Sequence, residues 1–348
     1  MKINNKISIV APCYNEEEVL PIFLKTLEKI RASMSPTVFE YVFIDDGSTD
    51  GTLEILRNLS SKNAQIKYIS FSRNFGKEAA LLSGLEAATG DLVAVMDVDL
   101  QDPPELLCEM RDYIIKDGFD CVAARRTNRK GEPMIRSFFA RMFYKIINKI
   151  SDVQTPDGAR DFRLMTRQAA NAVLSLKEYN RFSKGLFSWI GFKTKWLEFE
   201  NIPRMAGATK WSFSKLFLYS LDGIIAFSVK PLALSSLFGI LFCFLSFLGT
   251  AFVITRYFMF GDPVAGWASI VTIILFIGGI QLLCIGIIGQ YLAKIYLESK
   301  NRPVYIIRET SEDLRLKRQI ARNFGSHNKP RRRRNEHHRS GRSFFRVF

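Results

Sequence analysis

The chain reads as an α/β protein, a mostly parallel sheet flanked by helices, followed by an interfacial helix and two transmembrane helices. Three observations carry that reading. Short apolar runs rich in Val, Ile and Phe alternate with longer stretches of helical spacing through the first 200 residues. Each of those runs ends in a polar loop. Further along, two stretches without any charged residue are long enough to cross a bilayer.

The predicted strands are "ISIVAP" (7–12), "FEYVFID" (39–45), "IKYISF" (66–71), "DLVAVMD" (91–97) and "FDCVAA" (119–124). Between them, residues 16–33 place Val19, Ile22, Phe23, Leu27 and Ile30 on one helical face, and the pattern returns at 51–60, 75–88 and 104–116. Strand and helix repeated in this order imply a sheet covered on both sides, with ligands bound beyond the carboxyl ends of the strands. The loops expected along that edge are "PCYNEEE", "DDGSTDGT", "SRNFGKE", "DVDLQDPPE" and "RRTNRKGE".

Bulk properties narrow the classes. A content of 47% hydrophobic and 24% charged residues excludes disorder throughout. The formal charge is +15, yet residues 300–348 hold 15 Lys/Arg against 4 Asp/Glu, so the basicity is concentrated there and gives no support to a nucleic-acid partner. Five scattered cysteines without a CxxC pair suit a reducing compartment and offer no thiolate metal site. "MKINNKISIVAPCYNEEE" has too short an apolar stretch for a signal peptide, so the N-terminus is expected in the cytosol. Neither GxxxxGK[ST] nor GxGxxG after a strand occurs, which removes the P-loop and the dinucleotide fold.

Asp97, Asp99 and Gln101 alternate from the end of a strand, and an extended backbone would point them to one side. Two carboxylates and an amide oxygen are hard donors suited to Mg²⁺ or Mn²⁺, which complete their shell with water and phosphate. The plainer reading of the same stretch is an acidic turn in which Asp102 caps the next helix with Pro103 at its first position. Likewise "IDDGSTDGT" (44–52) reads as a glycine-containing turn into a helix capped by Asp50.

Taken in order at successive strand ends, "APCYNEEE", "IDDGSTDGT" and "DVDLQDPPE" resemble the family 2 glycosyltransferases of the GT-A type. The likeness covers residues 5–205, and "SRNFGKEAALLSGL", "DFRLM", "NRFSKGLFSWIGF" and "RMAGATKWSFSKL" narrow it to polyprenyl-phosphate sugar transferases. These include dolichyl-phosphate mannose synthase and, closer, bactoprenol (undecaprenyl-phosphate) glucosyltransferases. The resemblance implies that Pro12, Tyr14, Glu16 and Asp46 line a nucleoside pocket, supported by Asp45. It also implies that Asp97, Asp99 and Gln101 hold a divalent ion against the diphosphate, with Asp99 counted among the catalytic residues and Lys77 assisting. For the acceptor phosphate it favours Arg126, Arg136 and Arg204 over Arg181 and Lys184, since guanidinium groups match phosphate oxygens. Asp161 falls at the position proposed as base, although an N-cap or an ion pair with Arg160 or Arg163 would explain it equally. A phosphate monoester with a second pKa near 6 is already ionised at neutral pH, so orienting the sugar is an alternative role. "TPDGARDFRLM" is longer at its entry than the family's usual "GDFRLM".

Residues 231–256 and 263–293 are the expected transmembrane helices, preceded by amphipathic interfacial helices over 206–230 with Phe213, Leu216, Phe217, Leu221, Ile224 and Ile225 on one face. Lys210, Lys215 and Lys230 before the spans, and Lys294, Lys300, Arg302 and Arg308 after them, put both termini and the catalytic domain (1–205) on the cytoplasmic side. The tail, 294–348, is expected to be disordered after about 310 and drawn to anionic lipid. With the resemblance, this describes a metal-dependent inverting hexosyltransferase of a bacterial inner membrane, moving glucose from UDP-glucose to undecaprenyl phosphate as a homotetramer. GDP-mannose, UDP-N-acetylglucosamine or a UDP-aminoarabinose derivative are the rival donors. A non-catalytic, membrane-anchored nucleotide-sugar binding protein is the rival class.

Overall fold

A computed structural model describes residues 6–127, 156, 158–200, 224–260 and 266–316. Alternation begins with β1 (Lys6–Cys13), α1 (Leu20–Ser33), β2 (Val38–Asp45), α2 (Thr52–Lys62), β3 (Ile66–Phe71), α3 (Lys77–Ala87), β4 (Leu92–Val95), α4 (Leu106–Asp117) and β5 (Cys121–Arg126). All five predicted strands and all four predicted helices are present. Beyond them come β6 (Ala159–Thr166), α5 (Arg167–Ser175), α6 (Ser183–Trp189) and β7 (Thr194–Phe199), none of which the apolar runs had marked as elements.

The strands form one sheet in the order β7-β5-β6-β4-β1-β2-β3-β8, where β8 is Ile307–Thr310. Four of its pairings are parallel, β1 with β2 and β4, β2 with β3, and β5 with β7. β6 runs antiparallel between β4 and β5, and β8 runs antiparallel along β3. The carboxyl ends of β1 to β5 therefore share one edge, and β6 and β8 both start from it.

Residues alternating along the strands feed two cores. Ile7, Ile9, Phe39, Tyr41 and Phe43 face Phe23, Leu27, Leu107 and Met110 of α1 and α4. Val10, Val42 and Ile44 face Ala80, Leu81, Ala169 and Val173 of α3 and α5. Each large side chain buried this way contributes roughly 1.5–3 kcal/mol, so a slip of register by one residue would be heavily penalised. On α1, Leu20 takes the buried place expected of Ile22, which is exposed, because the buried stripe runs through Leu20, Phe23, Leu27 and Ile30 and Ile22 lies off it. α3 approaches the sheet closely at Gly84, where a Cβ would collide with Val10 and Ile44.

Two expected caps are not formed. α4 begins at Leu106 behind a turn through Pro103 and Pro104, and Asp102 is buried in an ion pair with Arg160, 2.6 Å from its Nε. Gly51 stands at the N-cap of α2, while Asp50 accepts from the Thr52 and Glu17 amides and so ties the first loop to the second.

After the sheet come α7 (Lys230–Phe260) and α8 (Trp267–Ser299), each long and apolar enough to cross a membrane. At 1.5 Å per residue both exceed a hydrocarbon thickness of about 30 Å. Leu237, Ile240, Phe247, Phe252 and Leu282 are exposed along them, as lipid-facing residues would be. α8 continues past the expected limit at residue 293 because its polar end docks on the catalytic domain. Glu298 accepts from the backbone amides of Tyr179 and Asn180 at 2.8 and 3.3 Å. The chain then adds β8 to the sheet instead of leaving as a loose tail, with Tyr305 stacked on Phe71 at 4.8 Å between ring centroids. Most of the expected interfacial helices (206–223 of 206–230), and the tail beyond 316, lie outside the described residues.

Candidate active site

The carboxyl edge of the sheet gathers the charged residues. β1 and β2 end side by side, Pro12 beside Ile44 and Cys13 beside Asp45, and their loops are stitched together. Asn15, with φ of 55°, receives the Thr49 amide on its side chain at 2.8 Å, and Glu17 receives the Gly51 amide at 2.7 Å. Tyr14 is exposed at this edge, and Glu16 anchors the start of α1 through its carbonyl. Asp45 is buried and accepts from Ser70 Oγ and the Ser48 amide.

Asp46 is also buried, and its carboxylate binds the backbone amides of Phe75 (2.7 Å) and Gly76 (3.0 Å). Burial pushes its pKa up to about 6 even though those amides favour the charged form. Rather than pointing outward to a nucleoside, it fixes the "NFGKE" loop. Gly76 has φ of +95°, a conformation suited to glycine, and the chain enters α3 immediately after it.

Lys77 opens α3 and is the hub of the site. Its Nζ lies 2.7 and 2.9 Å from the two oxygens of Asp97 and 2.5 Å from Asp161 Oδ2. The sheet explains the meeting. In the antiparallel register Val95 of β4 faces Arg163 of β6, so Asp97, two residues on, falls opposite Asp161, two residues back. Burial alone would raise the Asp161 pKa, but Lys77, Lys184 and Arg163 hold it well below the usual carboxylate range. Lys77 is correspondingly raised by Asp161 and Asp97 against its burial. Asp161 is therefore neither an N-cap nor the partner of Arg160. Arg163 is buried, stacks over Phe187 at 3.7 Å and braces the carbonyls of Arg160 and Asp161.

The acidic motif is not extended. β4 stops at Val95, the chain turns, and Leu100 has φ of 54° while the Gln101 amide donates to Asp99 Oδ1 at 3.1 Å. Alternation along a strand thus does not align Asp97, Asp99 and Gln101. They still fit a divalent ion by donor chemistry. Mg²⁺ commonly takes one or two carboxylates and completes its shell with water and phosphate, instead of a protein cage, and no cluster of three His, Cys, Asp or Glu ligands occurs among the described residues.

Of the expected acceptor-phosphate residues, Arg126 ends β5 at this edge, its amide donating to the Gly158 carbonyl. Arg181 turns inward, donating to the Leu176 carbonyl at 2.5 Å and the Val173 carbonyl at 3.4 Å, and burial lowers its pKa. That makes it a structural brace, because its guanidinium satisfies loop carbonyls that would otherwise be left without partners. Lys184 lies on α6 near enough to Asp161 to bias its ionisation. Arg136 and Arg204 lie outside the described residues. A cavity of about 380 Å³ is lined by Arg73, Gly76, Glu78, Asn180 and Val304 among others, and none of Lys77, Asp97, Asp99, Gln101 or Asp161 borders it. Glu78, unremarked in the sequence, is half-buried and accepts from the Ser183 amide at 3.0 Å.

Residues 8–174 match the family model described as Glycosyl transferase family 2. CsbB of Bacillus subtilis (strain 168), named as a glycosyltransferase, is 46% identical over 88% of this chain and 92% of its own. A bactoprenol glucosyl transferase of Shigella phage SfV is 41% identical over 88% of this chain and 99% of its own. Among solved structures, glucosyl-3-phosphoglycerate synthase from Mycobacterium tuberculosis aligns over 64% of this chain and 78% of that chain, at 20% identity and a TM-score of 0.42, a likeness too remote to bear on chemistry. By this family match and the identity with these relatives, the chain belongs to glycosyl transferase family 2.

Proposed function

We propose that the protein transfers glucose from UDP-glucose to a polyprenyl phosphate at the cytoplasmic face of a membrane. The observation that carries this reading is the alignment with a named bactoprenol glucosyl transferase over nearly the whole of both chains, apolar helices included. The fold supports it. A polyprenyl phosphate stays in the bilayer while a nucleotide sugar stays in water, so the reacting edge must sit at the headgroup level. α8 leads the chain back toward that edge, since β8 runs antiparallel along β3 and so enters the sheet from the carboxyl side.

In the transfer, a phosphate oxygen of the lipid attacks C1 of glucose. The bond from C1 to the diphosphate oxygen breaks, and its electron pair leaves with UDP. Asp97 and Asp99, with Gln101 beside them, would hold a divalent ion, which when bound would supply Lewis-acid stabilisation of the leaving diphosphate. Lys77 adds a fixed positive charge at the same place. Asp161, kept ionised and of low proton affinity, suits orientation of the sugar better than removal of a proton the phosphate scarcely retains. Tyr14, Glu16 and Pro12 face the nucleoside, and Arg126 with Arg136 and Arg204 receives the acceptor phosphate.

The test is incubation of the full-length protein in vesicles with undecaprenyl phosphate, Mn²⁺ or Mg²⁺ and radiolabelled UDP- and GDP-sugars. Label from UDP-glucose should enter the lipid fraction. Label from a different sugar alone, or from none, refutes the reading.

A further inference from the structure

We propose that Lys77 is a built-in counter-cation that holds Asp97 against a lone divalent ion, so that the ion is admitted together with a nucleoside diphosphate. This rests on the functional reading above and concerns how the same site loads.

An ammonium has three donors, and Lys77 makes three contacts, two to Asp97 and one to Asp161. Its root is immobilised. The two amides just before it are held by Asp46, and it begins a helix packed on the sheet. What can move is the flexible four-carbon stem. The ion pair is not sealed in a core either. The Lys77 side chain is 35% exposed and that of Asp97 23%, so both are reachable from the open edge.

A divalent ion approaching Asp97 in this state meets an ammonium already bound to both carboxylate oxygens. Sharing the carboxylate would put three positive charges within a few ångströms, and Asp99 and Gln101 add few donors to offset that. A nucleoside diphosphate changes the balance. Its phosphate oxygens complete the ion's shell and offer Lys77 a new partner, so the ammonium leaves Asp97 without being left unpaired. In the loaded site Lys77 would still touch Asp161 and would add its charge to the diphosphate side. If Lys77 were only a structural ion pair, removing it would leave the coupling between ion and nucleotide unchanged.

The test is titration of Mn²⁺ into the full-length protein in nanodiscs, followed by electron paramagnetic resonance, with and without UDP. In the unmodified protein UDP should tighten Mn²⁺ binding at least about tenfold, within the range usual for coupled sites. Lys77→Met should bind Mn²⁺ alone at least about tenfold tighter than the unmodified protein, with the effect of UDP reduced to about threefold or less. Lys77→Arg, which keeps the charge, should behave like the unmodified protein. Mn²⁺ alone should raise the melting temperature of Lys77→Met but not of the unmodified chain. Should Lys77→Met fail to fold because Asp97 and Asp161 then face each other unshielded, the double variant with Asp161→Asn carries the same comparison. Equal or weaker binding of Mn²⁺ alone by the methionine variants overturns the proposal while leaving the functional reading intact. No Mn²⁺ binding by any variant even with UDP overturns both.

Discussion

Glu309 accepts two hydrogen bonds of 2.8 Å from the guanidinium of Arg57, a residue 252 positions earlier and on the far side of both apolar helices. Tyr68 donates a third at 2.9 Å. The segment that leaves α8 is thereby fastened to α2 and β3, and the sheet is tied to the end of the apolar helix pair at two places, here and at Glu298.

Glu309→Ala should lower the melting temperature of the catalytic domain by about 2–4 °C, the effect of roughly 1 kcal/mol from a bidentate but partly exposed pair. Arg57 holds Glu309 below its usual pKa. Its contribution is complete above the unfolded value of about 4.3 and is lost as pH falls through the folded one. Scanning calorimetry from pH 7 to pH 3 should show the variant and the parent converging in acid.

Glu40 makes a stronger case inside the sheet. It is buried, accepting from Ser8, Thr89, Lys6 and Lys67. Burial raises its pKa, yet hydrogen bonds from Ser8, the Thr89 amide and Lys67 bring it down to about 2. The pair network then contributes roughly 3 kcal/mol at neutral pH, lost as pH falls from the unfolded value toward 2. Glu40→Gln should cost about 2–3 kcal/mol in urea unfolding at pH 7 and far less at pH 3.

Asp97→Asn and Asp99→Asn should each abolish lipid glycosylation to below about 1% of the parent, as loss of the ion's electrostatic stabilisation predicts. Exhaustive chelation should do the same to the parent, with Mn²⁺ or Mg²⁺ restoring it. Product formation after chelation, measured by thin-layer chromatography of labelled lipid, would refute a metal-assisted transfer.

Asp161→Asn should lower turnover about 100-fold while nucleotide affinity stays within about threefold, since the residue pairs with Lys77 and in the proposed transfer orients the sugar. Normal turnover in that variant removes Asp161 from the reaction. Replacement of Arg181 by Met should instead lower stability, because it deprives the Leu176 and Val173 carbonyls of their donor.

The order of strands and helices as far as β5, the polar loops at one edge, the acidic motif and the two apolar spans were legible in the chain itself. Each is a local pattern: period two or 3.6 in hydrophobicity, or an unbroken run of apolar residues. The meeting of Lys77, Asp97 and Asp161 was not, because it depends on β6 running antiparallel beside β4, and a strand's direction leaves no trace in its own composition. The same holds for β8, recruited from beyond the helices, and for Arg181, whose inward turn depends on which carbonyls surround it. Asp102 shows the contrast in one residue. Its place before two prolines suggested a cap, and the tertiary structure gave it Arg160 instead, since a buried carboxylate needs an opposite charge more than a helix start needs a cap.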